Sequence, residues 1–136
     1  MKLVIDINVF ISGIFFSGPP HQILCAWRDG KISLMLTEEI LTEYKETSAE
    51  LSRKYPSVDL NPWMEFIAMH AVRVTAKSLP GQVCTDPDDD MFLACAIASG
   101  AKVVVSGDKA LQETSGYEGI KVCSPRDFVD DYVVSQ

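Results

Sequence analysis

The chain has 136 residues, a hydrophobic fraction of 47% and a formal net charge of −7. This length fits a single domain over residues 1–136, and the hydrophobic content excludes a disordered chain. No apolar run approaches the roughly 20 residues that a membrane-spanning helix needs, so no membrane association is expected. The acidic balance also excludes a general basic surface of the kind that binds nucleic acid non-specifically.

Short β-type runs alternate with helical runs along the chain. The expected strands cover residues 2–5, 32–36, 71–75, 102–106 and 120–122. The expected helices cover residues 8–15, 20–29, 37–54, 62–70, 87–99 and 125–134. This alternation predicts the α/β class, with a mostly parallel sheet covered by helices on both faces. In such sheets, ligands bind beyond the carboxyl ends of the strands.

The N-terminus and the cysteines indicate the compartment. No signal-type cleavage site follows the apolar residues 9–16, which predicts a cytoplasmic protein. The cysteines form no C-x-x-C pair, and this is typical of buried or incidental thiols rather than of disulfides or a zinc site. They are Cys25, Cys84, Cys95 and Cys123.

Acidic residues follow two of the expected strands directly. Asp6 comes after Leu3-Val4-Ile5, and Asp108 comes after the strand at 102–106. Charged groups at strand ends flanked by buried residues are rarely left unpaired. Because the carboxyl ends of parallel strands lie at one edge of the sheet, we expect these two carboxylates to share a pocket.

A third acidic group opens the helix at 87–99. This helix is apolar nearly all round, so it should lie buried against the sheet with its first turn near the strand ends. One or two of Asp86, Asp89 and Asp90 are then expected in the same pocket. Asp86 is equally well suited to capping the helix, and Asp88 fits a solvated position.

Several carboxylates packed together require a positive partner. Mg²⁺ or Mn²⁺ with oxygen ligands is the natural one, held by a few carboxylates, water and substrate phosphate. Such an ion activates and orients water for attack on a phosphodiester. The residue types therefore indicate phosphodiester hydrolysis without a nucleophilic side chain.

Four segments carry acidic residues at positions that match, in their order along the chain, the motifs of one known family; with a closing segment they span residues 4–128. The first three are Val4-Ile5-Asp6-Ile7-Asn8-Val9-Phe10, Glu39-Ile40-Leu41-Thr42-Glu43-Tyr44 and Asp86-Pro87-Asp88-Asp89-Asp90-Met91-Phe92-Leu93-Ala94-Cys95-Ala96. The fourth is Val104-Val105-Ser106-Gly107-Asp108-Lys109-Ala110-Leu111. The family that the chain resembles in these segments is the PIN domain family. The closing segment, Val122-Cys123-Ser124-Pro125-Arg126-Asp127-Phe128, resembles a subgroup described as toxins of toxin–antitoxin systems.

The resemblance implies a three-layer α/β/α sandwich and an endoribonuclease that cleaves single-stranded RNA with Mg²⁺ or Mn²⁺. It also implies homodimerisation and an antitoxin partner. By position, the acidic core comprises Asp6, Glu43, Asp90 and Asp108, of which Asp6, Asp90 and Asp108 would bind metal. In the subgroup the position of Asp90 is often Asn after a retained aspartate, so Asp89 is an alternative to Asp90.

The remaining assignments are supporting ones. Asn8 and Ser106 would orient the acidic groups, and Ala110 stands where the family usually has a further acid. Glu43 lies on an amphipathic helix rich in acids, so a plain surface position is the other reading of this residue.

Other protein classes fit less well. A phosphatase of the haloacid dehalogenase type needs Asp-x-Asp after the first strand, whereas this chain has Asp6-Ile7-Asn8. The strongest rival is a catalytically silent PIN-like module that binds RNA or a partner protein. The full set of acidic positions argues against that rival.

Overall fold

A computed structural model describes residues 1–134 of the chain. At its centre lies a sheet of five strands in the order β3-β2-β1-β4-β5, and every neighbouring pair is parallel. The strands are β1 (Lys2–Ile5), β2 (Ser33–Leu36), β3 (Val72–Arg73), β4 (Val103–Val105) and β5 (Lys121–Cys123).

In the described part of the chain, seven helices flank this sheet. They are α1 (Ile7–Phe15), α2 (Pro19–Arg28), α3 (Glu38–Ser52), α4 (Asn61–His70), α5 (Asp90–Ser99), α6 (Lys109–Gln112) and α7 (Pro125–Phe128). A 3₁₀ turn, Pro87–Asp89, leads into α5, and another covers Tyr117–Gly119. After α7 the chain continues as a π-helical segment over Val129–Val134.

The strand order places a topological switch point between β1 and β4. The chain moves outward from β1 through β2 to β3, and then returns across the sheet to β4. Because parallel crossovers are right-handed, these two directions place the connecting helices on opposite faces. The expected three-layer α/β/α architecture with a parallel sheet is therefore confirmed. Ligands of such sheets bind at the switch point, beyond the strand ends.

The core is formed by the strands and by the helices that cover them. The three residues of β4 are fully buried or nearly so, and α5 packs across β1, β2 and β4. This burial explains why α5 is apolar nearly all round. On the other face, α1 and α2 approach closely at Gly13, where an added Cβ would lie 2.6 Å from Leu24 Cδ1.

The largest differences from the sequence prediction concern the C-terminal helix, the third strand and two short helical turns. The predicted helix at 125–134 is divided into α7 and the π-helical segment Val129–Val134. The third strand is two residues long rather than five, because β3 is an edge strand that pairs only with the end of β2. The helix α6 and the turn at Tyr117–Gly119 were not predicted. Each is about one turn long, which is too short to produce a hydrophobic period.

Within residues 1–134, no single helix is long and apolar enough to cross a membrane. The pair α1 and α2 meets that criterion by length and composition only, and the chain bends by 88° between them. Both helices contribute buried side chains to the core.

Candidate active site

Asp6 and Asp108 follow the two strands on either side of the switch point. The strands β1 and β4 are paired up to their last residues, Ile5 and Val105. The Asp6 backbone N–H extends this pairing by donating to the Val105 carbonyl oxygen at 3.1 Å. The register of the sheet therefore brings the two aspartates to the same edge.

Ser106 connects these two aspartates. Its side chain is fully buried, and its hydroxyl donates a short hydrogen bond to Asp6 Oδ2. The same hydroxyl oxygen accepts a hydrogen bond from the Asp108 backbone N–H at 3.0 Å. The Gln112 side-chain amide donates to the Ser106 carbonyl oxygen at 2.7 Å. Through these bonds Ser106 contacts both aspartates.

The Asp6 carboxylate is buried, with 5% of the residue exposed. Its Oδ1 accepts a hydrogen bond from the Val9 N–H at 2.9 Å, so Asp6 also caps α1. Burial raises the pKa of Asp6, and the nearby Asp108 charge adds to this effect. The hydrogen bonds from Ser106 and Val9 lower the pKa but do not cancel the rise. A buried carboxylate of this kind favours a proton or another positive partner.

Asp108 is the exposed counterpart of Asp6. It lies at the N-terminus of α6, and its Oδ1 accepts a hydrogen bond from the Ala110 N–H at 3.0 Å. The capping role and the hydrogen bond to Ser106 together fix the backbone at this position. Its carboxylate faces solvent at the strand edge, where a hydrated cation can reach it.

Asp89 belongs to the same electrostatic cluster. Its carboxyl group is partly buried, and burial is the largest cause of a rise in its pKa from 3.8 to about 6. The negative charges of four neighbouring carboxylates add to this rise. In decreasing order of effect they belong to Asp86, Asp108, Asp6 and Asp88. Asp89 is therefore close enough to both strand-end aspartates to interact with their charges.

Asp90 lies beside Asp89 and is hydrogen-bonded to the loop before α5. Its Oδ1 accepts a hydrogen bond from the Cys84 backbone N–H at 2.7 Å, and its Oδ2 accepts one from the Val83 N–H at 3.2 Å. Burial tends to raise the pKa of Asp90, but hydrogen bonding from the Cys84 thiol and from the backbone N–H groups of Cys84 and Val83 outweighs it, and the pKa is lowered. The lone pairs of Asp90 are thus engaged by the loop before α5.

The other candidate residues lie around this cluster. Asp86 caps the 3₁₀ turn through a hydrogen bond from the Asp88 N–H at 3.0 Å. Asn8 is exposed on the first turn of α1. Glu43 is exposed on α3 and lines a groove of about 780 Å³, together with Asp89 and Asp90. This groove runs between the first turns of α3 and α5 and the segment 74–79.

Tyr44 has a positioning role that the sequence analysis did not identify. It is fully buried, and its hydroxyl donates a hydrogen bond of 2.5 Å to the Ile5 carbonyl oxygen, next to Asp6. Its ring stacks on Phe10 of α1, with the ring centroids 4.1 Å apart. Tyr44 therefore ties α3, which carries Glu43, to the end of β1. The sequence did offer one signal for this contact: a tyrosine at a buried helical position, whose hydroxyl needs a hydrogen-bond partner.

The donor chemistry of the cluster fits a hard divalent cation. Asp6, Asp89 and Asp108 supply only carboxylate oxygens, and their repulsion is what a Mg²⁺ or Mn²⁺ ion would neutralise. Within residues 1–134, no three side chains of His, Cys, Asp or Glu already surround a metal position. An ion that keeps several waters and uses one or two carboxylates is consistent with such an arrangement.

Comparison with known proteins identifies the family. A family model for the PIN domain matches residues 2–110, which is most of the chain. No curated protein matches the chain. PIN domains are generally nucleases and typically use divalent metal ions, in keeping with the acidic strand edge. The chain belongs to the PIN domain family.

Proposed function

We propose that this protein is a metal-dependent endoribonuclease that cleaves single-stranded RNA. The observation that carries the proposal is the placement of Asp6 and Asp108 at the ends of the paired strands β1 and β4, where Ser106 connects them and the charge of Asp89 acts on both. Three acidic groups at this location are costly to maintain without a cation. Their placement agrees with the family's nuclease character.

In this proposal, Asp6, Asp108 and Asp89 hold Mg²⁺ or Mn²⁺. The sequence left open whether Asp89 or Asp90 is the third ligand, and the hydrogen bonds of Asp90 to Val83 and Cys84 favour Asp89. When bound, such an ion activates water and stabilises negative charge on the phosphoryl oxygens. Ser106 keeps the Asp6 carboxylate turned toward the strand edge.

The groove beside Asp89 is the proposed entry path for the RNA strand. Among its lining residues are Glu38, Glu39 and Glu43, and one lysine, Lys77. Phosphate groups are repelled by such a surface unless cations intervene. RNA binding, like catalysis, is therefore expected to depend on the divalent ion.

We also propose a homodimer and an antitoxin protein as partners, with toxicity as the cellular role. The support is the family resemblance together with exposed apolar side chains on α4 and β3. Met69 is 76% exposed and Val72 is 44% exposed, beside the half-buried Trp63 and Phe66. Sedimentation at high micromolar concentration tests the dimer, and a strictly monomeric protein contradicts it.

Cleavage of mixed single-stranded RNA and DNA, with Mn²⁺, with Mg²⁺ and with EDTA, tests the nuclease proposal. The wild type should cut RNA only with a divalent ion. Asp6→Asn and Asp89→Asn should each reduce cleavage by at least about a hundredfold. Asp29→Asn is the matched control, because Asp29 is an exposed residue at the end of α2.

Two outcomes would contradict the proposal. Cleavage that persists in EDTA or in Asp6→Asn would show that the acidic cluster is not the catalytic site. A folded wild type that binds RNA but cuts none of it would instead favour a catalytically silent binding module.

A further inference from the structure

The segment between β3 and α5 ends in a tight turn that is held by Asp90. The Gln82 side-chain amide donates to the carbonyl oxygens of Cys84 and Thr85, at 2.9 and 3.2 Å. The backbone N–H groups of Val83 and Cys84 then point at the Asp90 carboxylate. Cys84 itself is 2% exposed, so the turn is also anchored in the core.

The hydrogen bonds from the Val83 and Cys84 N–H groups to the Asp90 carboxylate are called the clasp below. The two oxygens of Asp90 do not contribute equally to it. Oδ1 accepts from the Cys84 N–H at 2.7 Å and more weakly from the Val83 N–H at 3.4 Å. Oδ2 accepts from the Val83 N–H at 3.2 Å. The shortest of these bonds occupies Oδ1, and both oxygens are turned toward the backbone N–H groups of the loop.

Asp89 is the adjacent residue and has a different set of contacts. Successive side chains of a helical turn point about 100° apart, so Asp89 and Asp90 leave the turn in different directions. Asp89 makes no capping hydrogen bond, and its charge interacts with those of Asp6 and Asp108. Asp90 holds the loop, whereas among the hydrogen bonds of residues 1–134 none is accepted by the Asp89 carboxylate, which lines the groove beside Ile7, the residue after Asp6.

We propose that Asp90 is a positioning residue and not a metal ligand. Its carboxylate clasps the N–H groups of Val83 and Cys84, and this contact sets the rotation of the first helical turn that presents Asp89. The role assigned to Asp89 rests on the proposed nuclease function. The clasp itself depends only on the hydrogen bonds of Asp90.

Four variants separate the two roles: Asp90→Asn, Asp90→Ala, Asp89→Asn and, as control, Asp88→Asn. Asp88 is exposed and lies two positions before Asp90. Among the hydrogen bonds of residues 1–134, its carboxylate accepts none from the backbone N–H groups of Val83 or Cys84. Two measurements are made on each protein without RNA. They are residue-resolved amide hydrogen exchange by NMR and Mn²⁺ affinity by titration calorimetry.

The exchange experiment tests the clasp. Asp90→Ala should speed exchange at Val83 and Cys84 by roughly ten- to hundredfold, since a charged acceptor is lost. Asp90→Asn keeps an oxygen for Cys84 but places an NH₂ group against the Val83 N–H. In this variant the Cys84 amide should therefore stay protected from hydrogen exchange, whereas the Val83 amide should exchange faster. Unchanged exchange in Asp90→Ala would overturn the clasp.

The Mn²⁺ titration tests which residue is the ligand. Asp89→Asn should weaken Mn²⁺ binding by at least about tenfold while leaving exchange at Val83 and Cys84 unchanged. Asp90→Asn should retain most of the affinity and of RNA cleavage, whereas Asp90→Ala should lose both along with amide protection. Equal losses of Mn²⁺ affinity in Asp90→Asn and Asp89→Asn would show that Asp90 is a ligand.

Failure of the proposed function is distinguishable from failure of this inference. If the wild type neither binds Mn²⁺ nor cuts RNA, the nuclease proposal falls. Amide exchange in Asp90→Ala still decides whether the carboxylate holds the turn, because that measurement needs neither metal nor substrate.

Discussion

The two sides of the acidic site are built in different ways. On the strand side, Asp6, Ser106 and Asp108 follow paired strands and are connected by hydrogen bonds through one buried hydroxyl. On the helix side, Glu43 is exposed and Asp89 is only partly buried without a capping bond. The strand side is therefore positioned by the register of the sheet. The helix side depends on local contacts of α3 and of the turn before α5.

Ser106→Ala should give the largest effect, because it removes the hydroxyl that links the two strand-side aspartates. Asp6 Oδ2 would lose its partner in a buried place, and the Asp108 N–H would lose its partner in a partly buried one. We expect a loss of about 1–3 kcal/mol in the free energy of unfolding, because buried polar groups lose their partner. We also expect cleavage to decrease about tenfold or more, which is the usual effect of removing a group that orients a metal ligand. Urea denaturation and RNA cleavage measure the two effects.

The matched control for this change is Ser124→Ala. Ser124 caps α7 by accepting a hydrogen bond from the Asp127 N–H at 3.1 Å, and among residues 1–134 its side chain makes no hydrogen bond to Asp6 or Asp108. It should lose about 1 kcal/mol of stability without losing activity. If Ser106→Ala destabilises the protein but cuts RNA as well as Ser124→Ala does, the strand side does not need its hydrogen-bond network for catalysis.

Tyr44→Phe tests the contact that joins the two sides. The change removes the hydroxyl that donates to the Ile5 carbonyl oxygen and leaves the ring stacked on Phe10. We expect a loss of about 1–2 kcal/mol, because a buried acceptor is left without this bond. Thermal unfolding monitored by circular dichroism is the measurement. An unchanged stability would mean that ring packing alone positions α3.

The strand side was more predictable from the sequence than the helix side. The apolar runs before Asp6 and Asp108 identify two buried strands, and parallel pairing brings their ends together. In the run Asp88-Asp89-Asp90, a shift of one residue changes the direction of a side chain by about 100°. That direction is set by the contact of Asp90 with Val83 and Cys84, which no periodicity reveals.

The hydroxyl of Tyr44 illustrates the same limit. The helical period correctly places this ring on the buried face of α3 with Ile40 and Leu41. Its partner is the carbonyl of Ile5, which lies 39 positions earlier in the chain. Contacts over such separations depend on the packed fold, whereas the strand-end positions depend only on local pattern and topology.

The pH dependence of stability should distinguish the helix side in metal-free protein. The pKa of Asp89 is about 6 in the folded state against 3.8 in the unfolded chain, so folding favours its protonated form. This contribution is fully present below pH 3.8 and is lost as the pH rises through 6. Asp89→Asn should therefore flatten the stability profile between these values, measured by urea denaturation with EDTA. An unchanged profile would contradict the coupling of Asp89 to its acidic neighbours.

The smallest expected effect concerns an ion pair at the outer rim of the helix side. Arg73 Nη1 lies 3.1 Å from Glu38 Oε1, with both side chains well exposed. A double-mutant cycle with Arg73→Met and Glu38→Gln should give a coupling of only about 0.2–1 kcal/mol, which decreases with added salt. A larger coupling that resists salt would mean that the first turn of α3 is anchored as firmly as the strand side. The groove wall that carries Glu43 would then be a fixed surface and not an adaptable one.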